Sequence, residues 1–232
     1  MKKKVAIIPL RNGSKGLSGK NTQKFCELPL YYWTVLQALK FADECIVTTD
    51  IEDILYGKLP IPEEVQLRNR PSELASDSAK MESVIQDVLT YTGYKDTIIL
   101  LLQATSPLRA NEDIQKSLDL FLRDDFQMVF TVSESDPSLL KNGFMDGNEF
   151  KSVSDYGYLF QNRQELPQTY RPNGAVYIFN SKDFTKHNGF NFSNFGSVLM
   201  PHERSLDIDT KEDFLKAEEI YSKYKKTLMF IK

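Results

Sequence analysis

Cysteine and histidine are scarce in this chain, with two of each among 232 residues. Cys26 and Cys45 form no CxxC pair, so a disulfide framework is not expected, and a reducing compartment such as the cytoplasm fits this usage. A zinc site of four such ligands would need every cysteine and histidine at once, and their spacing does not support it. Each thiol is better interpreted as a small, chemically silent buried side chain.

Long apolar runs and an excess of positive charge are also missing. The lysines at 2–4 precede a short apolar run that Pro9 and Arg11 interrupt, so neither a signal peptide nor a membrane-spanning segment is predicted. The net charge of −3 argues against general nucleic-acid binding. Hydrophobic residues make up 41% of the chain and aromatic residues 12%, which is enough for the core of one large domain.

Strand and helix patterns alternate along the first half of the chain. Apolar runs predict strands at 5–9, 45–48, 65–67, 97–102 and 128–132. Apolar spacing of three and four residues predicts helices at 30–41, 78–91 and 112–122, the second capped by Asp77 or Ser78. The alternation predicts an α/β fold with a doubly wound, mostly parallel sheet.

The pattern changes between Ser133 and Arg171, where Gly, Asn, Asp, Ser and Gln dominate. Short alternating pieces at 150–153 and 156–160 predict a β-rich excursion, which is too long for a routine connection. A buried strand at 175–179 and an amphipathic helix at 209–225 follow. We therefore predict an α/β domain built from 1–132 and 172–232, with 133–171 inserted.

The loop after the first predicted strand combines glycine with fixed positive charge. Its glycines and cations are Gly13, Gly16, Gly19, Arg11, Lys15 and Lys20. Glycines let the backbone approach a ligand closely, and inward amides with surrounding cations suit a phosphate chain. The spacing matches neither the Walker loop nor GxGxxG. A basic, flexible turn after an edge strand is the alternative interpretation.

Two further polar segments follow predicted strands, where ligands of open α/β sheets bind. Asp207 and Asp209 lie two residues apart on an extended segment and point to one side, which suits Mg²⁺ held partly by substrate phosphates. Alternatively, Asp209 caps the last helix and Glu212 completes a capping box. Gln103 follows the central strand and offers donors and acceptors to a base edge or a sugar hydroxyl. For Arg109 in the same loop, the alternative interpretation is a solvent-exposed surface residue.

Five segments, in order, resemble the signatures of the cytidylyltransferases that activate α-keto acid sugars, namely the CMP-sialic acid synthetases and, more distantly, the CMP-Kdo synthetases. The segments are 7–21, 70–77, 101–109, 163–178 and 205–209. The sequence Tyr-Arg-Pro-Asn-Gly at 170–174 favours the sialic-acid side. The resemblance covers most of the chain and implies a Rossmann-like nucleotidyltransferase fold.

The resemblance implies that the anomeric hydroxyl of a nonulosonic acid attacks the α-phosphate of CTP, with Mg²⁺ as cofactor and pyrophosphate leaving. It implies catalytic roles for Arg11, Lys20, Asp207 and Asp209, and the two aspartates are also the implied metal ligands. The implied nucleotide-binding residues are Arg11, Asn12, Gly13, Ser14, Lys15, Lys20, Asn21 and Arg70, the last beside cytosine. The implied sugar-binding residues are Gln103, Thr105, Ser106, Arg163, Tyr170, Arg171 and Asn173. Arg163 or Arg171 would pair with the sugar carboxylate, and an ordinary salt bridge is the alternative for each.

The resemblance also implies a homodimer formed through 133–171, a segment rich in exposed-looking aromatic residues. A small subdomain folded over its own sheet is the alternative. Leu10, Asn12 and Ala104 depart from the usual family residues, and Met81 stands where some relatives carry a small polar residue, but no charge is lost. Alternative functions are a CMP-Kdo or other sugar nucleotidyltransferase and a non-catalytic nucleotide-binding module. Sialic, legionaminic and pseudaminic acids all remain possible acceptors.

Overall fold

The computed structural model describes residues 2–13 and 16–228, and the side chains of 2–13 and 16–223. The strands are β1 Lys4–Leu10, β2 Lys24–Phe25, β3 Leu28–Pro29, β4 Glu44–Thr49, β5 Val65–Asn69, β6 Ile98–Leu102, β7 Met128–Ser135, β8 Gly143–Asp146, β9 Glu149–Ser152, β10 Thr169–Asn180 and β11 Phe195–Leu199. The α-helices are α1 Leu30–Phe41, α2 Glu52–Leu55, α3 Met81–Thr92, α4 Asn111–Arg123, α5 Ser181–Lys186 and α6 Lys211–Leu228. Among the described residues, no helix is both long enough and apolar enough to span a membrane.

A seven-stranded sheet with the order β11-β7-β10-β6-β1-β4-β5 forms the centre of the molecule. Every neighbouring pair in it is parallel except those of β10, which runs antiparallel to both β6 and β7. The predicted α/β fold with a mostly parallel sheet is confirmed. The antiparallel β10 brings the carboxyl-terminal third of the chain back to the middle of the sheet.

The central strand β6 shows why the sheet is buried on both faces. All five of its residues are buried, and alternate side chains enter different core clusters. Leu100 and Leu102 pack with Tyr31 and Val35 of α1 on one face. Ile99 and Leu101 pack with residues of α3 and α5 on the other face. The carboxyl end of β6 is therefore fixed between two helical layers, and the polar loop that follows it starts from a rigid position.

Two predicted helix starts are wrong. Helix α3 begins at Met81 rather than 78, and no side chain caps it. Helix α6 begins at Lys211, and its capping pair is Thr210 with Asp213 rather than Asp209 with Glu212. The Asp213 amide donates to Thr210 Oγ1 at 3.1 Å, and the Thr210 amide donates to Asp213 Oδ2 at 2.9 Å. The Asp209 side chain is thus not committed to capping.

The excursion keeps its two ends in the main sheet. Ser135 of β7 faces Thr169 of β10, and only the residues between them leave the sheet. They contain the β8–β9 hairpin and three short 3₁₀ turns. The predicted strand at 156–160 is wrong, because Tyr156–Phe160 is a 3₁₀ turn whose start is capped by Asp155.

Candidate active site

Two adjoining cavities open where the loops after β1 and β6 meet the segment before α6. The first has a volume of about 440 Å³ and is lined by Pro9, Arg11, Gly16, Lys20, Asn21, Arg70, Met81, Gln103, Ala104, Thr105, Asp207, Asp209 and Thr210. The second, of about 610 Å³, contains Arg171, Asn173, Gly174, Tyr177, His202 and Lys216 in its lining. Gln103, Asp207 and Asp209 line both cavities. We call the first the β1-side cavity, the second the β10-side cavity, and these three residues the shared wall.

The glycine-rich loop closes directly onto the shared wall. A Cβ added at Gly16 would lie 2.3 Å from the carbonyl oxygen of Asp209, so only glycine permits this approach. Gly19 adopts a left-handed φ of 62°, which turns the chain into the short 3₁₀ turn at Lys20–Thr22. Asn21 then donates from Nδ2 to the Arg11 carbonyl at 3.0 Å and holds the two ends of the loop together.

Part of the predicted nucleotide loop is not described. Ser14 and Lys15 lie outside the described residues. Asn12 and Gly13 are exposed, and the Asn12 amide donates to Asp50 Oδ1 at 2.8 Å. A Cβ added at Gly13 would meet nothing within 4 Å. The close approach that requires glycine therefore occurs at Gly16.

Lys20 projects from this loop into the shared wall. Its side chain is only 9% exposed, and its ammonium donates to Asp209 Oδ1 at 2.9 Å and to the carbonyl oxygen of Ile208. The Asp209 side chain itself is 74% exposed. The predicted basic-turn alternative is wrong for Lys20, because its charge is directed inward at a carboxylate.

The segment that carries the two aspartates is held from both sides. Ile208 is fully buried in a cluster with Phe25 and Phe214, and its amide donates to the Thr105 carbonyl at 2.9 Å. Because Ile208 points inward, its neighbours Asp207 and Asp209 both face the cavities. Just before this segment, Arg204 pairs through Nε and Nη2 with the buried carboxylate of Asp113 at 3.1 and 2.7 Å.

The surroundings of Asp207 disfavour the charged form of its carboxyl group. It is exposed to solvent because it faces the cavities, and protein atoms still replace part of the water around its carboxyl. This desolvation raises the pKa of Asp207, the neighbouring Asp209 charge adds to the rise, and a hydrogen bond from Thr105 opposes it. Burial, with a contribution from the Asp207 charge, also raises the pKa of Tyr177.

The donor set at the shared wall fits a hard divalent cation only in part. The described residues contain no group of three or more His, Cys, Asp or Glu side chains arranged for a metal. Two carboxylates and the Ile208 carbonyl are the oxygen donors nearby, and a protein ammonium already lies against two of these groups. A Mg²⁺ ion here would need further oxygens from a phosphate ligand and water, which is its usual habit.

Two arginines and Met81 also line the β1-side cavity. Arg11 pairs at 2.5 Å with Asp77, which is not part of the lining. Arg70 is buried, and its Nη2 donates to the Thr48 carbonyl at 2.8 Å. Burial lowers the pKa of Arg70 to about 10, so it stays charged at neutral pH.

The β10-side cavity forms around an irregularity in β10. The register of β10 against β7 shifts between Pro172 and Tyr177, and Gly174 has a φ of 80°. Asn173 fixes this bulge, since its Oδ1 accepts from Thr131 Oγ1 at 2.6 Å and its Nδ2 donates to Ser205 Oγ at 3.0 Å. The predicted sugar-binding Asn173 therefore lines the cavity with its side chain already bonded to protein.

The sequence-based prediction missed several lining residues. Tyr177, His202 and Lys216 face the β10-side cavity together with the predicted Gln103 and Arg171. Tyr177 lies inside the strand predicted as buried at 175–179, but it is only partly buried and lines the cavity. The one available signal was its hydroxyl, the only polar side-chain group among residues 175–179.

Three predicted sugar-binding residues lie outside the lining of both cavities. Ser106 is 1% exposed, and its Oγ finds no hydrogen-bond partner among the described residues. Arg163 is exposed and pairs with Asp136 at 3.3 Å. Tyr170 is about half exposed on β10. Their substrate contacts stay predictions.

Arg109 is buried, so the interpretation as a solvated residue is wrong. Its guanidinium donates to the carbonyls of Ala175 and Gln103 and to the side chains of Thr34 and Gln37. It ties the loop after β6 to β10 and α1, beneath the shared wall.

Comparison with known proteins places these observations in context. Residues 5–231 match the sequence profile described as Cytidylyltransferase. The chain is 36% identical over 226 residues to the N-acylneuraminate cytidylyltransferase of Escherichia coli O18:K1:H7, covering 94% of this chain and 52% of that protein. It is 30% identical over 228 residues to the CMP-N,N'-diacetyllegionaminic acid synthase of Legionella pneumophila, covering 93% and 95%.

The chain spans about half the length, 52%, of the N-acylneuraminate cytidylyltransferases that it matches. A solved structure of CMP:2-keto-3-deoxy-manno-octonic acid synthetase complexed with CTP superposes with a TM-score of 0.66 at 15% identity, covering 95% of this chain and 99% of the other. That similarity shows a shared fold.

Proposed function

The chain belongs to the cytidylyltransferase family, and on this basis we propose that it transfers a cytidylyl group from CTP to a nonulosonic acid and releases pyrophosphate. The observation that carries the proposal is the shared wall. A group-transfer enzyme needs two adjoining substrate sites with charge control where they meet. Here Gln103, Asp207 and Asp209 line both cavities.

CTP occupies the β1-side cavity in this proposal. Lys20 and Arg11 neutralise the triphosphate, and Asn21 and the loop backbone fix its position. Arg70, whose buried and charged guanidinium lines the cavity, is the candidate for contact with cytosine. Ser14 and Lys15, which the resemblance assigns to the same loop, join this role as part of the proposal.

The acceptor occupies the β10-side cavity. Its anomeric oxygen forms a bond to the α-phosphorus as the bond from that phosphorus to the bridging oxygen breaks and pyrophosphate leaves. Gln103 orients the acceptor from the shared wall, and Arg171, which lines this cavity, is the proposed partner of its carboxylate. Thr105 borders the β1-side cavity and helps to fix Asp207.

Mg²⁺ is the proposed cofactor, with Asp207 and Asp209 as its protein ligands. When bound, it supplies positive charge at the α-phosphate and lowers the pKa of an attacking hydroxyl. Without a cation, the carboxylates would repel a polyanionic substrate. Their position between the proposed CTP site and the proposed acceptor site therefore favours a bound cation there. This placement argues against a non-catalytic nucleotide-binding module.

A homodimer acting in the cytoplasm completes the proposal. The excursion between β7 and β10 exposes a set of large apolar side chains, Phe144, Met145, Phe150, Tyr156 and Phe160. Such a patch favours a second copy as partner. Arg163, which lies outside its own chain's cavities, would then be free to serve the sugar site of the partner.

The direct test is pyrophosphate release with Mg²⁺ and each of CTP, UTP, ATP and GTP, assayed with sialic, legionaminic and pseudaminic acids and with Kdo. We expect release with CTP and at least one nonulosonic acid, and none without an acid. Preference for Kdo would replace the acceptor class, and CTP binding without any release would favour the non-catalytic alternative. In this assay Arg11→Ala should weaken the use of CTP. Lys2→Ala is its matched control and should change little, because Lys2 pairs with Asp96 at the surface.

A further inference from the structure

The Lys20 ammonium lies where cation-binding oxygens converge. It donates to the carbonyl oxygen of Ile208 and to Asp209 Oδ1 at 2.9 Å. Its side chain is 9% exposed, whereas that of Asp209 is 74% exposed. An almost buried ammonium is therefore held by a backbone carbonyl and by a carboxylate whose remaining surface faces the cavities.

The Lys20 ammonium competes with any second cation for oxygen atoms at the shared wall. One oxygen of Asp209 and the Ile208 carbonyl are already engaged by the ammonium. A divalent ion at Asp207 and Asp209 would have to share these oxygens with a fixed positive charge, and the two cations would repel each other at short range. The described residues offer no third acidic, histidine or cysteine ligand to compensate.

The same lysine also lines the β1-side cavity, next to Gly16 and Asn21. A phosphate chain in that cavity offers Lys20 several anionic oxygens in place of one. Rotation of its side chain toward them would leave Asp209 with both oxygens available. Arg11 differs in this respect, because its partner is Asp77, which does not belong to the shared wall.

We infer that Lys20 is a placeholder cation, which neutralises Asp209 in the free protein and releases it when a nucleotide triphosphate binds. The divalent-cation site is thereby created by the nucleotide, so metal and nucleotide bind as coupled partners. This inference rests on the metal site of the proposed function. It adds that the free protein disfavours the metal, and it names the residue responsible.

The test measures Mn²⁺ binding to the full chain from the free-ion electron paramagnetic resonance signal, with and without the α,β-methylene analogue of CTP. We expect weak binding to the unmodified protein alone and binding at least tenfold tighter with the analogue. Without the analogue, Lys20→Met should bind Mn²⁺ roughly tenfold tighter than the unmodified protein, an ordinary size for such coupling. The nucleotide-dependent gain should shrink correspondingly in this variant.

Arg11→Met is the matched control, since it removes a cation from the same cavity without uncovering Asp209. It should lose affinity for the analogue and show unchanged nucleotide-free Mn²⁺ binding. Lys20→Gln gives an independent second variant, and circular dichroism checks the fold of each.

Two results would overturn the inference while leaving the proposed function intact. One is a folded Lys20 variant that binds Mn²⁺ without nucleotide no more tightly than the unmodified protein. The other is an unmodified protein that binds Mn²⁺ equally well with and without the analogue. A protein that binds no Mn²⁺ even with the analogue would overturn the metal site itself, and the inference with it.

Discussion

Lys20 and Arg109 are two buried cations with different tasks. Lys20 faces the cavities and is paired with a carboxylate. Arg109 is buried beneath them and donates to neutral oxygens of Gln37, Thr34 and two backbone carbonyls. Burial lowers the pKa of Arg109 to about 10, which still leaves it charged at neutral pH. A charge so placed stabilises the geometry of the loop after β6 rather than binding a ligand.

At the shared wall, Asp207→Asn is expected to reduce turnover by roughly 10²-fold, the scale of losing one major electrostatic contact. The same change should raise the thermal midpoint of the metal-free protein at pH 7. The folded state raises the pKa of Asp207, so the folded state binds the proton more tightly and stability falls as pH rises from the unfolded pKa through the folded pKa. Asparagine cannot ionise, so the Asp207→Asn protein avoids this loss of folding stability at neutral pH.

Asp209→Asn is the control for this change. It should lose as much turnover but gain no stability, because it takes the carboxylate partner from the buried Lys20. Calorimetry at pH 7 and pH 3 checks the sign, since the difference between Asp207→Asn and the unmodified protein should vanish at pH 3. A lower midpoint for Asp207→Asn at pH 7 would contradict it.

The two loop glycines make a matched pair. Gly16→Ala places a methyl group 2.3 Å from the Asp209 carbonyl, so the loop must move away from the shared wall. We expect kcat/KM for CTP to fall at least roughly tenfold, in line with the cost of a small misplacement of binding groups. Gly13→Ala meets nothing within 4 Å and should change kcat/KM by less than about twofold. Equal effects of both changes on steady-state kinetics would rule out the close approach as the cause.

Sequence patterns predicted the residues of the shared wall better than those of the β10-side cavity. Asp207, Asp209 and Gln103 follow directly from strand ends and from spacing along one segment. Arg109 and Tyr177 could not be placed in this way. Three of the residues that accept from Arg109, namely Ala175, Thr34 and Gln37, lie 66 to 75 residues away in the chain. The cavity beside Tyr177 is formed by segments that are distant in the chain.

At the scale of elements, the same contrast separates buried from exposed segments. The strands β1, β4 and β6 were predicted to within one residue at each end and α1 was predicted correctly, because apolar periodicity indicates burial against a sheet. The prediction of β10 missed its first six residues, and β11 was not predicted. The 156–160 segment alternates in the same way but is a 3₁₀ turn, since an exposed stretch can alternate without a partner strand. The start of α6 was missed by two residues because Asp209 and Thr210 are both acceptable caps and only the position of Asp213 decides between them.

The anchor before α6 gives a test at this scale. Arg204→Gln removes the bidentate pair with the buried Asp113 and the contact with Glu112 at 2.7 Å. We expect about 2 kcal/mol lower stability, because a buried carboxylate loses its partner, and roughly tenfold lower kcat from misplaced aspartates. KM for CTP should stay near its original value. Denaturant unfolding and steady-state kinetics measure both.

Arg123→Gln controls for the loss of an arginine, since it breaks only the exposed pair with Asp124 and should change neither quantity measurably. An Arg204→Gln protein that unfolds more easily but turns over normally would show that the anchor serves stability alone.

For the whole molecule, we predict that the exposed apolar patch of the excursion forms the interface of a homodimer. Phe160 is 93% exposed, and a carboxylate in its place would be buried without a partner in a homodimer. Phe160→Asp should therefore shift the protein from dimer to monomer in sedimentation velocity at micromolar concentration. Tyr56→Asp, a similarly exposed aromatic far from the excursion in the sequence, should stay dimeric. A monomeric unmodified protein would contradict the prediction.

Mixing two inactive variants tests whether one site draws on both chains. Asp209→Asn damages the shared wall, and Arg163→Ala damages a residue that lies outside its own chain's cavities. If Arg163 serves the partner, the mixture forms some sites with both residues intact, and pyrophosphate release should recover to about a quarter of normal or less. Activity no higher than the sum of the two separate variants would assign Arg163 to its own subunit.

The position of β10 in the sheet also constrains the order in which the protein can fold. This strand lies between β6 and β7, although it follows both in the chain by many residues. While the chain emerges from the ribosome, β6 and β7 therefore expose unpaired edges until residue 180 has been made. Such edges are where strands of separate chains pair wrongly, and pairings distant in sequence form slowly. The half of the sheet formed by β5, β4, β1 and β6 can assemble early, but neither cavity is complete until the segment with Asp207 and Asp209 has been made.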